Sequence, residues 1–244
     1  MELEAVLFDA GGVLWDLDPP VEELFARALG RHGAATDRGR LMAALAKAER
    51  LMDGEFARIG GGDERDYWLE YDGIVLDDLG IETDVGAFAA GLGREFRAVV
   101  TRMESWVAYP DAVPALEAVR RMGLRAGLVS NATELARRVL VNLDMERHFD
   151  AVVISDEVGV RKPNPEIFRI ALGMLGAEPG RSVFLGDRPA TDMAGAERAG
   201  VLPVLVDRRG AFHGSGYERV DGLSGIEGLV ERLRSRPAPA AGGP

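Results

Sequence analysis

From Pro110 onward, short apolar runs alternate with amphipathic helical stripes, and no other feature of the chain constrains its fold as strongly. The pattern predicts helix 113–122, strand 124–129, helix 132–143, strand 151–155, helix 165–175, strand 182–186, helix 190–199, strand 202–206 and helix 225–234. Short apolar strands separated by helices mark βα units, whose parallel strands are covered on both faces. An isolated earlier run, Ala5-Val6-Leu7-Phe8, ends in Asp9 and a Gly11-Gly12 pair, which predicts one more buried strand entering a tight turn. The expected fold is α/β, a doubly wound parallel sheet of Rossmann-like form.

Between that first strand and Pro110 the periodicity is helical throughout. Apolar stripes run through Val21/Leu24/Phe25/Ala28, Leu41/Leu45/Ala48/Met52, Tyr67/Trp68/Tyr71/Ile74/Val75 and Val85/Phe88/Leu92/Phe96/Val99. Residues 17–104 are therefore expected to form an all-helical cap inserted into the core, with 1–16 and 105–235 building the core itself. Residues 236–244, a Pro/Ala/Gly tail with nothing to bury, are expected to be disordered.

Composition removes several function classes. With 29 Lys+Arg against 40 Asp+Glu the net charge is -11, a field that repels phosphate backbones, so nucleic acid is not an expected partner. The absence of cysteine excludes disulfides, thiolate nucleophiles and Cys-based metal sites. Met1-Glu2-Leu3-Glu4 does not open like a signal peptide, and no run reaches the roughly 18 apolar residues of a membrane helix. A cytoplasmic protein with no membrane partner is expected; nothing in the sequence specifies an oligomeric state. There is no P-loop, EF-hand loop or His-Glu-x-x-His pattern, and His32, His148 and His213 are scattered without metal spacing.

The polar residues that end the predicted strands carry the chemistry: Asp9, Ser130-Asn131, Asp156, and Asp187 with Asp192. Any one of them could be an Asx turn or a helix cap, and Asn131-Ala-Thr-Glu134 is close to a capping box. As a set they are harder to dismiss, because a parallel sheet brings its strand ends to one edge, where ligands bind. Three carboxylates gathered there repel one another unless a cation compensates, and an all-oxygen donor set suits Mg2+. Lys162, one of only two lysines, falls in a loop at the same edge. Beside an acidic cluster it could hold a phosphate and anchor carboxylates.

In this order, Asp9-Ala-Gly-Gly-Val13, Ser130, Lys162-Pro163 and Gly186-Asp187-x4-Asp192 resemble the four motifs of the haloacid dehalogenase superfamily, with a helical insert like its subfamily I cap. The resemblance implies a Mg2+-dependent phosphatase of a small phosphorylated metabolite. Asp9 would be the nucleophile. Ser130 and the backbone amide of Asn131 would hold phosphoryl oxygens, and Lys162 would neutralise their charge. Asp9, the Gly11 carbonyl and Asp187 would bind the metal, with Asp192 holding a water ligand or Lys162.

One departure stands out. Most family phosphatases carry a second motif-one Asp as acid/base where this chain has Gly11, although a sugar-phosphatase branch shares an Asp-x-Gly-x-Val motif followed by Asp-x-Asp. Here that sequel is Asp16-Leu17-Asp18, whose carboxylates could supply the proton or simply cap the first cap helix. The departure keeps other readings open: a dehalogenase, a phosphonoacetaldehyde-hydrolase-like enzyme using Lys47 for a Schiff base, or a silent phosphate-binding module. The angular position of Lys47, about 120° from its helix's apolar stripe, favours an ordinary solvated side chain. Trp68 and Tyr71 read as cap core, Trp15 as pocket wall or staple, and Arg188 as a substrate contact or a surface arginine.

Overall fold

The computed structural model describes residues 2–59 and 65–235. Its main sheet has six strands in the order β5-β4-β1-β6-β7-β8, all parallel. They are β1 (Ala5–Phe8), β4 (Arg125–Ser130), β5 (Ala151–Ile154), β6 (Ser182–Gly186), β7 (Leu202–Val206) and β8 (Arg219–Val220). Every residue of β1 is buried, which is what a central strand covered on both faces requires. One face packs α5 (Ala112–Arg121), α6 (Leu135–Asn142) and α10 (Ile226–Arg234) through residues such as Leu116, Leu140 and Leu229. The other packs α8 (Glu166–Leu175) and α9 (Ala194–Ala199) through Phe168, Leu172 and Ala196. The fold is thus a doubly wound α/β core.

Between the first two core strands stand α1 (Val21–Arg31), α2 (Arg38–Ile59), α3 (Arg65–Leu79) and α4 (Val85–Val100). They enclose an apolar cluster of their own, with Phe25, Leu45, Tyr71, Val75 and Phe88 at its centre. The α2 stripe is buried as its periodicity demands: Leu41, Leu45, Ala48 and Met52 all face inward. In the α3 stripe Trp68 departs from expectation. It is 40% exposed while Tyr67 and Tyr71 are buried, because a cavity opens on that side of the helix.

Several local expectations need correction. A short antiparallel pair, β2 (Trp15–Leu17) with β3 (Trp106–Ala108), joins the two chain crossings into the helical layer; three-residue strands are too short to leave a periodic signature. Asp16 and Asp18 do not cap α1, whose N-cap is Pro20 without a side-chain cap bond. Asn131 is not a cap either, since α6 starts at Leu135 with Glu134 before it. Asp156 lies exposed in the one-turn helix α7 (Ser155–Val158). The segment predicted as helix 190–199 opens with a π-helical turn, Pro189–Met193. The tail 236–244 lies outside the described residues. Among those described, no helix is long and apolar enough to cross a membrane.

Candidate functional site

The register of the sheet brings three strand ends side by side. Phe8 pairs with Leu128 on β4 and with Leu185 on β6, so Asp9 leaves β1 between the ends of its two neighbours. Ser130 closes β4, and Asp187 follows Gly186 at the end of β6. All three line a cavity of about 390 Å³ together with Asn131, Lys162 and Asp192.

Lys162 sits at the hub of the charges. It is 2% exposed, and its Nζ lies 2.8 Å from both an Asp9 and an Asp192 oxygen, above the ring of Phe184. Burial alone would push the ammonium down, but Asp192 and Asp9 hold it above its usual range. Asn131 fixes the lysine from behind: its amide nitrogen donates to the Lys162 carbonyl at 2.8 Å and its oxygen accepts from the Lys162 N–H at 2.7 Å. The residue that resembled a helix cap therefore clamps the loop that carries the lysine.

Asp192 is equally committed. One oxygen meets Lys162, while the other accepts from the backbone N–H groups of Asp187 and Arg188 at 3.0 and 3.1 Å, which folds the π-helical turn back onto the strand end. The Asp187 carboxylate accepts no hydrogen bond from a described residue. One ligand atom each of Asp9, Asp187 and Asp192 falls within 4.8 Å of the others. Burial and then repulsion from Asp192 raise Asp187 well above the usual carboxylate range, and burial also raises Asp9 despite Lys162. Carboxylates so crowded, with one of them unpartnered, fit a hard divalent cation; the donor chemistry is all oxygen.

The turn after β1 is shaped for this site. Gly12 has φ +74°, and a Cβ on it would lie 2.4 Å from an Asp187 carboxylate oxygen, so only glycine fits. Gly11 differs: nothing lies within 4 Å of a Cβ placed there. A side chain would be accommodated at that position.

The two flap carboxylates separate. Asp16 lines the cavity, accepting from the Tyr109 hydroxyl at 2.8 Å and pairing with Arg209 at 3.3 Å. Asp18 is exposed and is not part of the cavity lining. Lys47 pairs with Asp78 of α3 and lines neither described cavity.

Several site residues escaped the sequence. Arg209 joins Asp16 of β2 to Glu49 of α2, the latter at 2.8 Å, and Arg208 grips Asp111 with two hydrogen bonds while stacking 3.8 Å over Tyr109. Asp53 of α2 accepts from the Ala190 N–H at 2.7 Å, so the helical layer touches the turn that carries Asp192. The two arginines follow the end of β7, the same edge that singled out the carboxylates; the edge rule applied to every strand would have found them.

Comparison with known proteins agrees with this fold. The haloacid dehalogenase-like hydrolase family matches residues 3–200. A protein of Mycobacterium tuberculosis named a phosphatase is 32% identical over 223 residues, covering 86% of this chain and 90% of that protein. The glyceraldehyde 3-phosphate phosphatase of Methanopyrus kandleri is 42% identical over 105 residues, 43% of this chain, and the match spans only 45% of that protein's length. Among solved structures, a HAD-hydrolase of Bacillus subtilis bound to magnesium superposes with TM-score 0.62 at 14% identity, over 95% of this chain and all of that one.

Proposed function

The chain belongs to the haloacid dehalogenase-like hydrolases, and from that premise we propose that it is a Mg2+-dependent phosphatase of a small phosphorylated metabolite, working through a phosphorylated Asp9. The observation that carries the reading is the convergence of Asp9, Asp187 and Asp192 around one buried lysine at the carboxyl edge of a parallel sheet. Phosphatase names among the relatives, and a magnesium-bound structural neighbour, point the same way.

Asp9, Asp187 and the Gly11 carbonyl are the groups that would hold Mg2+, which when bound offsets the negative charge gathering on the transferring phosphoryl group. Asp192, with both oxygens engaged, acts by anchoring Lys162 and the Asp187 backbone. Lys162 draws the phosphoryl oxygens toward Asp9, and Ser130 with the Asn131 amide holds another of them. An Asp9 oxygen attacks phosphorus as the ester P–O bond breaks, and the leaving alkoxide takes a proton. Water then attacks the aspartyl phosphorus, releasing inorganic phosphate and freeing the carboxylate. With Gly11 where a second acid would stand, Asp16 is the carboxyl best situated for the proton work, held by Tyr109 and Arg209 at the cavity wall. Residues 17–104 serve as the cap that excludes water over the core formed by 1–16 and 105–235.

The pairing of Lys47 with Asp78 speaks against a Schiff-base mechanism, and the preserved acidic pair speaks against metal-free dehalogenation. The test is phosphate release from a panel of sugar phosphates, nucleotides, phosphonoacetaldehyde and p-nitrophenyl phosphate, with Mg2+ or EDTA. Metal-dependent release that Asp9→Asn lowers by about 10⁴-fold or more is expected. Release insensitive to that substitution would refute the nucleophile, and no release at all would favour a silent phosphate-binding module.

A further inference from the structure

A second cavity, about 820 Å³, lies within the helical layer. It adjoins the sheet-edge cavity: Val21, Glu49, Phe96, Arg188 and Arg209 line both. Its wall along α4 includes Gly86, Ala89, Ala90 and Gly93, which leave room instead of filling it, beside Leu92, Arg94, Phe96 and Arg97, and Trp68 and Tyr71 of α3 stand on another side. A three-carbon phosphate has no use for so much additional space, since the sheet-edge cavity alone is within the range that holds a small metabolite.

Asp72 lines this chamber and is 4% exposed. Among the described residues no hydrogen-bond donor or cation meets its carboxyl. The other charged groups of the lining are Glu49, Arg65, Arg94, Arg97, Arg188 and Arg209, and none pairs with it. Burial alone raises this carboxyl to about 7. A buried polar group without a partner costs stability, and an apolar residue of similar size would pack the same helix face as Leu76 and Leu79 do. A carboxyl retained there, facing open volume, has an acceptor's capacity that the protein itself leaves unused.

We propose that the chamber takes the end of the substrate remote from its phosphate, an apolar arm terminating in a hydrogen-bond donor, amine or hydroxyl, that binds to Asp72. The proposal rests on the phosphatase reading of the sheet-edge cavity and adds the class of substrate. The apolar arm lies along the glycine and alanine face of α4 and against Trp68. Its end supplies the hydrogen bond that Asp72 lacks.

The test compares n-alkyl phosphates, from ethyl to octyl, with the same series ending in an amine or a hydroxyl, using the full chain with Mg2+. Beyond some arm length, donor-ended substrates are expected to exceed methyl-ended ones in kcat/KM by about tenfold or more. Asp72→Leu should abolish that preference while leaving ethyl phosphate untouched. Asp72→Asn, which keeps an acceptor without the charge, should retain preference for the hydroxyl and lose it for the amine, separating the two donors. Equal rates for donor- and methyl-ended arms, or a preference that survives Asp72→Leu, would overturn the proposal. If no phosphate is released from any ester, the phosphatase reading fails, and calorimetric titration with the free amino alcohols, diols and plain alkanols decides the chamber alone. Tighter binding of the donor-ended compounds that Asp72→Leu removes supports it, and indifferent binding refutes it.

Discussion

Of the carboxyls that line the two cavities, Asp187 and Asp72 accept no hydrogen bond from a described residue, one in each cavity, and their surroundings could hardly differ more. Asp187 stands within reach of two other carboxylates at a charged sheet edge, whereas Asp72 is buried in the helical chamber, where burial is what acts on its carboxyl. The first arrangement is a surplus of negative charge, which a cation relieves. The second is a solitary acid in a poorly solvating place, which a proton or a hydrogen-bond donor relieves. An unsatisfied acid thus indicates its missing partner through its neighbours, and both partners can be tested by removing the neighbour or the acid.

The largest effect is expected at the charged edge. Lys162→Met leaves Asp9 and Asp192 without their common cation and should cost about 3–5 kcal/mol of stability, read by chemical denaturation. Added Mg2+ should restore part of that loss in the variant, because it would supply positive charge to the Asp9 carboxylate. A loss that Mg2+ leaves unchanged would separate the lysine from the proposed metal site.

Next comes a comparison within one turn. Gly12→Ala forces a side chain into a positive-φ position and against Asp187, so about 1–3 kcal/mol of stability should go, together with at least tenfold of any phosphate release measured with Mg2+. Gly11→Ala, with open space around its Cβ, should stay within about 0.5 kcal/mol. Equal losses at the two glycines would mean that backbone flexibility, not the approach of Asp187, governs the turn.

The smallest effect sharpens the other cavity. Asp72 has a folded-state value raised to about 7 from an ordinary 3.8, so the folded protein holds this proton more tightly than the unfolded chain. The associated stability is fully present below the unfolded value and is lost as pH rises through the folded one. Asp72→Asn, which cannot ionise, should raise Tm at about pH 8, a gain that shrinks toward pH 4. A gain independent of pH would trace to packing instead.

Much of this architecture was legible because strands leave marks at their ends. Ala5–Phe8, 182–186 and 202–206 are found where their apolar runs predict, since a fully buried parallel strand has no freedom to be anything but apolar. The carboxylates of the edge follow from the same rule. What stayed hidden depends on contacts distant in sequence. Glu49 and Arg209 lie far apart in the chain, and neither has a local pattern that announces their ion pair. Trp68 misleads because an aromatic at helical spacing is assigned to core, and only the empty volume beside it says otherwise. Asp72 did leave a trace: with Leu76 and Leu79 it forms an i, i+4, i+7 set in which both partners are buried, so an acid stands in an apolar stripe.

The β2–β3 pair has a consequence for how such a molecule can change over time. Leu17 is paired directly with Trp106, so the chain leaves the sheet for the helices and returns from them at neighbouring positions. Seen from the sheet, everything between those two residues is one long hairpin loop whose ends are already joined. The entropy of closing a loop grows only with the logarithm of its length. Helices could be lengthened, replaced or reshaped there without a change in the register of a single core strand, which leaves substrate choice free to drift while the reaction centre stays constant.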